Sequence, residues 1–341
     1  MTSAFRKLLD KKHVLLADGA TGTNFFEMGL VSGDAPELWN DEAPEKVTAL
    51  HDGFVEAGAD IILTNTFGCN ANRMRLHNAQ DRVFELNEKA AKIARASAQK
   101  ADKTVLVAGS VGPTGDLFVP LGDLTHEAAV EAFTEQMMGL KAGGADVLWI
   151  ETMSAEEEIR AAAEAAQNVG MDYVFTASFD TAGRTMMGIA PKRLPQLAAE
   201  MPHAPCAVGA NCGVGATDLL VSILDMNEDQ DPASMIAIVA KANCGVPQVK
   251  GDEVIYTGTK ELMADYAKLA IDAGARIIGG CCGTSSGHLA AMRKAIDGHT
   301  KGARPSQEEI VAKTGELVNA ISTAKPAAEE TSRPRRRGRQ R

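Results

Sequence analysis

Three times along this chain an alanine- and glycine-rich turn hands a helical stretch over to a short apolar run. Glu56-Ala57-Gly58-Ala59-Asp60 leads into Ile61-Ile62-Leu63, and Lys141-Ala142-Gly143-Gly144-Ala145-Asp146 leads into Val147-Leu148-Trp149-Ile150. Asp272-Ala273-Gly274-Ala275-Arg276 leads into Ile277-Ile278. Glycine is the residue that most easily ends a helix, and a continuous apolar run reads as a strand covered on both faces. Strands of that kind belong in a parallel sheet, where each crossover is long enough to hold a helix.

Five further apolar runs fit between these three, at 14–17, 104–109, 173–178, 206–210 and 235–240. Alanine-rich amphipathic stretches separate most of them, most clearly Phe84 to Ala98 and Ala155 to Ala166. Eight strands with intervening helices point to an α/β protein, a (β/α)8 TIM-type barrel, with a doubly wound open sheet as the alternative. Asp18, Asn65, Glu151, Asn211, Asn243 and the pair Cys281-Cys282 all fall at the ends of apolar runs. In a barrel those ends converge on one rim, which favours the barrel and locates the active site. The expected organisation is one barrel domain over 1–300, a helical extension over 301–323 and a disordered Arg-rich tail over 324–341.

The cysteines carry the chemistry. Ile277-Ile278-Gly279-Gly280-Cys281-Cys282-Gly283-Thr284 delivers two adjacent thiols where glycines let the chain turn sharply, and Val208-Gly209-Ala210-Asn211-Cys212-Gly213 repeats the arrangement with one. Three thiols at two strand ends suit a tetrahedral metal ion whose fourth position is left for substrate. Cys69 and Cys206 lack such a setting and read as buried packing. Cys244 follows Asn243 and could close the site as a fourth ligand, which would make it structural; the expectation is that it only lines the rim.

Composition narrows the class. Hydrophobic residues make up 45% and charged residues 23% of 341, as in an ordinary globular protein, and no apolar run is long enough to span a bilayer. The first residues lead to no apolar signal core, so the expected location is cytoplasmic, where six cysteines stay reduced. The net charge of −10 includes six arginines between Arg333 and Arg341, so the body is more acidic still and nucleic acid is not its expected partner. The tail has the composition of a solvated disordered segment; an electrostatic handle for an acidic partner or for RNA is the other reading.

Asp18-Gly19-Ala20-Thr21-Gly22-Thr23 follows the first strand. Asp18 can pair with an ammonium, and the small residues after it expose N–H groups suited to a carboxylate, a combination that fits an α-amino acid. Glu151 offers a second carboxylate for the same amine. Asp18 as a helix cap and Glu151 as a partner of a neighbouring strand are the plainer readings. The glycine run lacks the lysine of a phosphate loop, and Gly213-Val214-Gly215 is too short for a dinucleotide fingerprint.

Six segments in order resemble one family. They are the Asp-Gly-x-x-Gly-Thr run at 18–23, Thr64-Asn65-Thr66-Phe67, Gly112-Pro113-Thr114-Gly115, Glu151-Thr152, Asn211-Cys212 and Gly279 to Thr284. Over roughly residues 10 to 298 the chain is similar to the homocysteine S-methyltransferases, and most of all to the N-terminal module of cobalamin-dependent methionine synthase. The resemblance implies one Zn2+ on Cys212, Cys281 and Cys282. It also implies L-homocysteine as substrate, its amine on Asp18 and Glu151 and its carboxylate near Gly19, Ala20, Thr21 and Gly22, with Asn65, Asn211 and Asn243 around it. Ala20 departs from the family's usual glycine. On that resemblance a zinc-activated substrate thiolate would be the nucleophile, so no side chain is expected to act as nucleophile or base.

The methyl donor divides the readings. The chain has no Asp-x-His-x-x-Gly cobalamin motif, so a corrinoid donor, methylcobalamin, would arrive on a separate protein. The alternatives are betaine or another onium compound such as S-methylmethionine. A trimethylammonium group calls for aromatic faces, which are scarce here apart from Trp39, Trp149, Tyr173, Tyr256 and Tyr266. Trp149 precedes Glu151 by two and could point inward with it, outer packing being the plainer reading. The reading favours the corrinoid protein. A protein with a structural zinc site or a redox switch, which binds rather than catalyses, is the alternative of another class.

Overall fold

A computed structural model describes residues 3–228, 236–250 and 253–319. Eight parallel strands form the body: β1 (Leu15–Leu16), β2 (Ile61–Leu63), β3 (Leu106–Val111), β4 (Val147–Met153), β5 (Tyr173–Ala177), β6 (Ala207–Cys212), β7 (Ala237–Ala242) and β10 (Ala275–Gly280). Each pairs with the next, β10 pairs with both β7 and β1, and a bridge from Ala17 to Ile61 closes the ring between β1 and β2. The architecture is a (β/α)8 barrel, as the eight apolar runs imply. The open doubly wound sheet is excluded by the β10–β1 pairing, Leu15 to Ile277 and Leu16 to Ile278.

Several strands begin or end two residues later than their apolar runs; β3 spans Leu106–Val111 rather than 104–109, and β6 reaches Cys212. A strand continues while its backbone finds ladder partners, whatever the polarity of its last side chains. Asn211 therefore pairs with Lys241 and Cys212 with Ala242 inside the sheet. The helices over Val83–Ala98 and Glu156–Val169 fall where the amphipathic stretches place them, and the second stops at Gly170, φ 70°.

Two layers of core follow from strand alternation. Leu15, Ala17, Ile61, Leu63, Leu106, Ala108, Trp149, Val174, Val239 and Ile277 pack inside the ring, and Phe5, Leu8 and Leu9 of the first helix, Ala4–Lys11, close its amino end. A larger apolar layer lies between the sheet and the outer helices. After β7 the chain makes an antiparallel hairpin, β8 (Pro247–Lys250) and β9 (Glu253–Tyr256), that the apolar pattern does not announce. A further helix, Gln307–Thr314, follows the barrel, and Asp218 accepts hydrogen bonds from the backbone of Val318 and Asn319 beyond it. The expected tail over 324–341 and the end of the extension lie outside the described residues. No described helix is long and apolar enough to cross a membrane.

Candidate functional site

Along each strand the inward row continues past the apolar layer to the carboxyl rim. Above Ala108 comes Ser110, above Trp149 Glu151, above Val174 Thr176, above Val239 Lys241, and above Ile277 come Gly279 and Cys281. Period-two alternation thus lifts polar groups from five strands onto the floor of one rim. Asn211 of β6 joins them.

The thiols are set by unusual backbone. Cys212 ends β6 at φ 62°, and Thr152 near the end of β4 also has φ 62°. Left-handed backbone is costly for side chains with a Cβ, most of all for a β-branched threonine. Asn211 ties the two places together. Its Oδ1 accepts from the Thr152 N–H at 2.8 Å and from Thr176 Oγ1 at 2.6 Å, while its Nδ2 donates to Thr152 Oγ1 at 2.7 Å. The same Nδ2 lies 3.9 Å from Cys281 Sγ. On the other side, a Cβ on Gly280 would come within 2.2 Å of the Thr284 side chain, and one on Gly283 within 2.3 Å of Tyr256. Close approach therefore dictates the glycines that flank the cysteine pair.

The sulfurs of Cys212, Cys281 and Cys282 all lie within 4.8 Å of one another, with Cys212 and Cys282 at 4.0 Å. Sulfurs sharing a tetrahedral ion at ordinary metal–thiolate bond lengths stand about 3.8 Å apart, so the donor set fits one metal ion. Hydrogen bonds from Cys212 and Cys281, and one from Tyr256, pull the Cys282 thiol well below its ordinary range despite its burial. Cys212 is pushed far up by Cys281 and Cys282. One thiolate is easily formed here and a second is not, unless a cation neutralises them. Cys244 is not among the three; its N–H donates to Cys282 O at 2.8 Å, and burial raises its thiol to about 11. Among the described residues the group holds three thiols, the number of an open site. Cys69 and Cys206 are buried and stand apart from this group.

Asp18 and Glu151 stand beside them, with a cation between that the apolar pattern had hidden. Asp18 is 1% exposed; one carboxylate oxygen accepts from the Leu63 N–H at 2.6 Å and the other from Lys241 Nζ at 2.8 Å. Glu151 accepts from Ser110 Oγ at 2.5 Å. Burial raises its carboxyl to about 7, against the opposing pull of Lys241. Burial by itself would lower the Lys241 ammonium, but Asp18 and Glu151 outweigh that and hold it above its ordinary value.

The small-residue loop is tightly packed. A Cβ on Gly19 would meet Thr284 O at 2.4 Å, and the Ala20 N–H donates to that same carbonyl at 3.0 Å. The Ala20 amide is thus spent on the protein, and its 5% exposure leaves Thr21 and Gly22 as the more open part of the loop. No side chain caps the helix Gly22–Glu27 that starts there. Asn65 donates to Pro36 O at 2.7 Å and Asn40 Oδ1 at 3.1 Å and is committed to the loop after β1. Asn243 donates to Gly213 O at 2.6 Å, holding the turn behind Cys212, while its own Oδ1 is buried without a partner.

Lys241, Ser110 and Thr176 are the residues that reading along the chain passes over, and Tyr256 enters there only as an aromatic face and not as a partner of the cysteines. A signal existed for Lys241, a lone charge in Ile238-Val239-Ala240-Lys241-Ala242 at the parity of the inward Val239. None existed for Tyr256, which the hairpin carries back to the cysteine pair.

A ring of parallel strands whose carboxyl rim gathers two buried carboxylates and three thiols that could hold a metal ion has the layout of a barrel enzyme. The family model described as homocysteine S-methyltransferase matches residues 15–296. The chain belongs to the homocysteine S-methyltransferase family. It is 27% identical over 337 residues to a methionine synthase of Mycobacterium leprae, covering 94% of this chain and 27% of that protein. With the methionine synthase of Mycobacterium tuberculosis it shares 27% over 355 residues, covering 97% of this chain and 29% of that protein. The chain thus spans under a third of the length of these relatives. The crystal structure of the homocysteine methyltransferase MmuM from Escherichia coli, metallated form, superposes with a TM-score of 0.70 at 26% identity, over 85% of this chain and 99% of that one. Its oxidised form gives 0.71 at 25%, over 86% and 99%.

Proposed function

We propose that this chain transfers a methyl group to the sulfur of L-homocysteine, giving L-methionine, with one zinc ion held by Cys212, Cys281 and Cys282. The observation that carries the reading is the three-sulfur cluster, 4.0 Å between Cys212 and Cys282, opening beside the buried carboxylates of Asp18 and Glu151. The metallated MmuM structure supports a metal in this family's barrel. When bound, zinc supplies the positive charge that lets a substrate thiol lose its proton near neutral pH. The protein's part is placement. Asn211 holds Cys281 and the Thr152 turn, Tyr256 donates to Cys282, and the carboxylate end of the site receives the amino acid's ammonium while Thr21 and Gly22 face its carboxylate. Holding sulfur and methyl carbon in line is worth several kcal/mol of barrel-held orientation, on the order of 7 or more. A carbon–sulfur bond forms as the donor's methyl bond breaks, and the donor leaves with that electron pair. Neither Asp18 nor Glu151 is needed as a base.

The donor we favour is a methyl-corrinoid on a separate protein, acting in the cytoplasm. Both mycobacterial relatives are methionine synthases more than three times this chain's length. The aromatic groups also weigh against an onium cage. Trp149 is fully buried inside the ring, Trp39 packs on Phe25 with Lys46 Nζ 4.2 Å from its ring centre, and Tyr173 and Tyr266 are buried. Of the tryptophans and tyrosines, Tyr256 is the one that reaches the cysteine cluster. Zinc-loaded protein offered homocysteine with methylcobalamin, betaine or S-methylmethionine in parallel tests the reading. Methionine from methylcobalamin is expected; methionine from betaine or S-methylmethionine alone would move the donor to the onium class. No methionine from any donor, with homocysteine unbound, would refute methyl transfer at this site.

A further inference from the structure

We propose that the segment 304–319, past the end of the family match, clamps the turn that carries Cys212, so that the metal affinity of the cysteine cluster is set partly from outside the barrel. This rests on the reading of Cys212, Cys281 and Cys282 as metal ligands. It adds Thr217, Asp218 and Asn319 to that site as positioning residues.

The turn after β6 has little of its own to hold it. Cys212, Gly213 and Gly215 all have positive φ, at 62°, 70° and 148°. The two glycines bring the widest choice of backbone angles and no side chain to pack. Asn243 Nδ2 ties Gly213 O to the end of β7 at 2.6 Å. Beyond that, the course of the turn follows from where the next helix, Ala216–Met226, begins. Gly215 starts that helix without a side-chain cap.

The family match ends at residue 296, and the chain after it runs along this helix from one end to the other. Near the carboxyl end, Arg304 Nη2 donates to Leu224 O at 2.7 Å. In between, Ile310 is fully buried in the apolar layer that holds Leu220 and Ile223. At the amino end, Thr217 Oγ1 meets Thr314 Oγ1 at 2.8 Å and donates to Gly315 O at 3.0 Å. The two oxygens of Asp218 accept the N–H groups of Asn319 at 2.8 Å and Val318 at 3.1 Å. Thr217 and Leu224 stand about 10 Å apart along the axis, so the helix cannot slide or tilt without breaking one anchor. Asn319 Nδ2 then donates to Asp180 O at 3.2 Å. Asp180 follows Phe179, whose carbonyl lies 3.6 Å from where a Cβ on Gly213 would stand. The segment thus grips both walls of the Cys212 turn, the helix that follows it and the loop after β5 that borders it.

Zinc affinity of the full chain, measured by competition with a chromophoric chelator, tests this in Thr217→Val/Asp218→Asn. Valine removes the hydroxyl, and asparagine turns an NH2 toward one of the two backbone N–H groups. Affinity should fall about tenfold, the lower end of what outer partners of metal ligands are worth. Cobalt(II) bound in place of zinc should show a shifted thiolate charge-transfer band. Phe5→Ala, at the opposite end of the barrel, controls for lost stability; it should leave affinity within about twofold and the band unmoved. Asn319→Ala, which removes one surface hydrogen bond and is the probe should the double variant not fold, should weaken zinc by about threefold. Wild-type affinity in the folded double variant or in Asn319→Ala, or an equal loss in Phe5→Ala, would overturn the proposal. A wild-type chain that binds neither zinc nor cobalt would instead overturn the metal reading beneath it.

Discussion

Cys212, Cys281 and Cys282 crowd three ionisable sulfurs into a space where only a cation lets more than one be charged. Serine in place of any of the three should strip metal from the purified protein, read as metal per chain by mass spectrometry. Cys244→Ser should leave it near one. Equal loss in Cys244→Ser would mean a closed four-thiol site and would favour a structural metal over catalysis. Glu151 makes a prediction about pH. Its carboxyl is raised from 4.5 to about 7 by burial, so the folded state favours the protonated form. The stability this contributes is fully present below 4.5, fades as pH rises and is gone above about 7. Metal-free Glu151→Gln should therefore gain on wild type across that window by up to about 3 kcal/mol. Paired thermal melts across the window check it, and a difference that does not move with pH would refute it.

At the scale of elements, the weak point of the ring is the seam between β1 and β2, which share a single bridge. Two carboxylates fasten it from opposite ends. Asp18 takes the Leu63 N–H at the carboxyl end, and Asp60 takes the Leu16 N–H at 3.0 Å at the amino end. Asp60 is fully buried and also meets Lys12 at 2.6 Å, Lys103 at 2.8 Å and Arg293 at 3.2 Å. Burial alone would raise its carboxyl, but the Leu16 N–H and the two lysines hold it below its ordinary value. Asp60→Ala removes the buried acceptor of the Leu16 N–H and a partner of three partly exposed cations, and should cost about 1–3 kcal/mol. Denaturant unfolding measures this; a cost under about 1 kcal/mol would mean the seam is held by packing alone. Asn211 does comparable work at the rim, where it holds Thr152 in left-handed backbone next to the cysteine cluster.

For the whole molecule, the site is a consequence of a filled ring. The rim residues keep their positions because the rows beneath them are packed, from Trp149 and Val239 down to the helix that closes the amino end. Phe5 is the buried end of that plug, at 0% exposure. Phe5→Ala should cost about 3–5 kcal/mol by leaving a cavity at the mouth of the barrel. Chemical denaturation of metal-free protein would show it as a lower midpoint with unchanged slope. A neutral result would separate the first helix from the barrel's core.

Much of this was legible along the chain for a local reason. Continuous apolar runs, glycine-ended helices and cysteines at glycine-rich strand ends are properties of neighbouring residues, so eight strands and the cysteine motifs could be read in order. Three facts could not, because each depends on residues distant in sequence meeting in space. Lys241 finds Asp18 across 223 positions only once β7 and β1 lie in one ring. Tyr256 reaches Cys282 only through a hairpin whose pairing no hydrophobic pattern marks. Asn65, at a strand end like the others, turned out to be spent on Asn40 and Pro36. Local sequence decides which segments become strands and where reactive groups sit along them, because backbone preference and burial are short-range. Which charges end up paired is decided by closure of the barrel, because an ion pair forms wherever the folded chain brings its partners together.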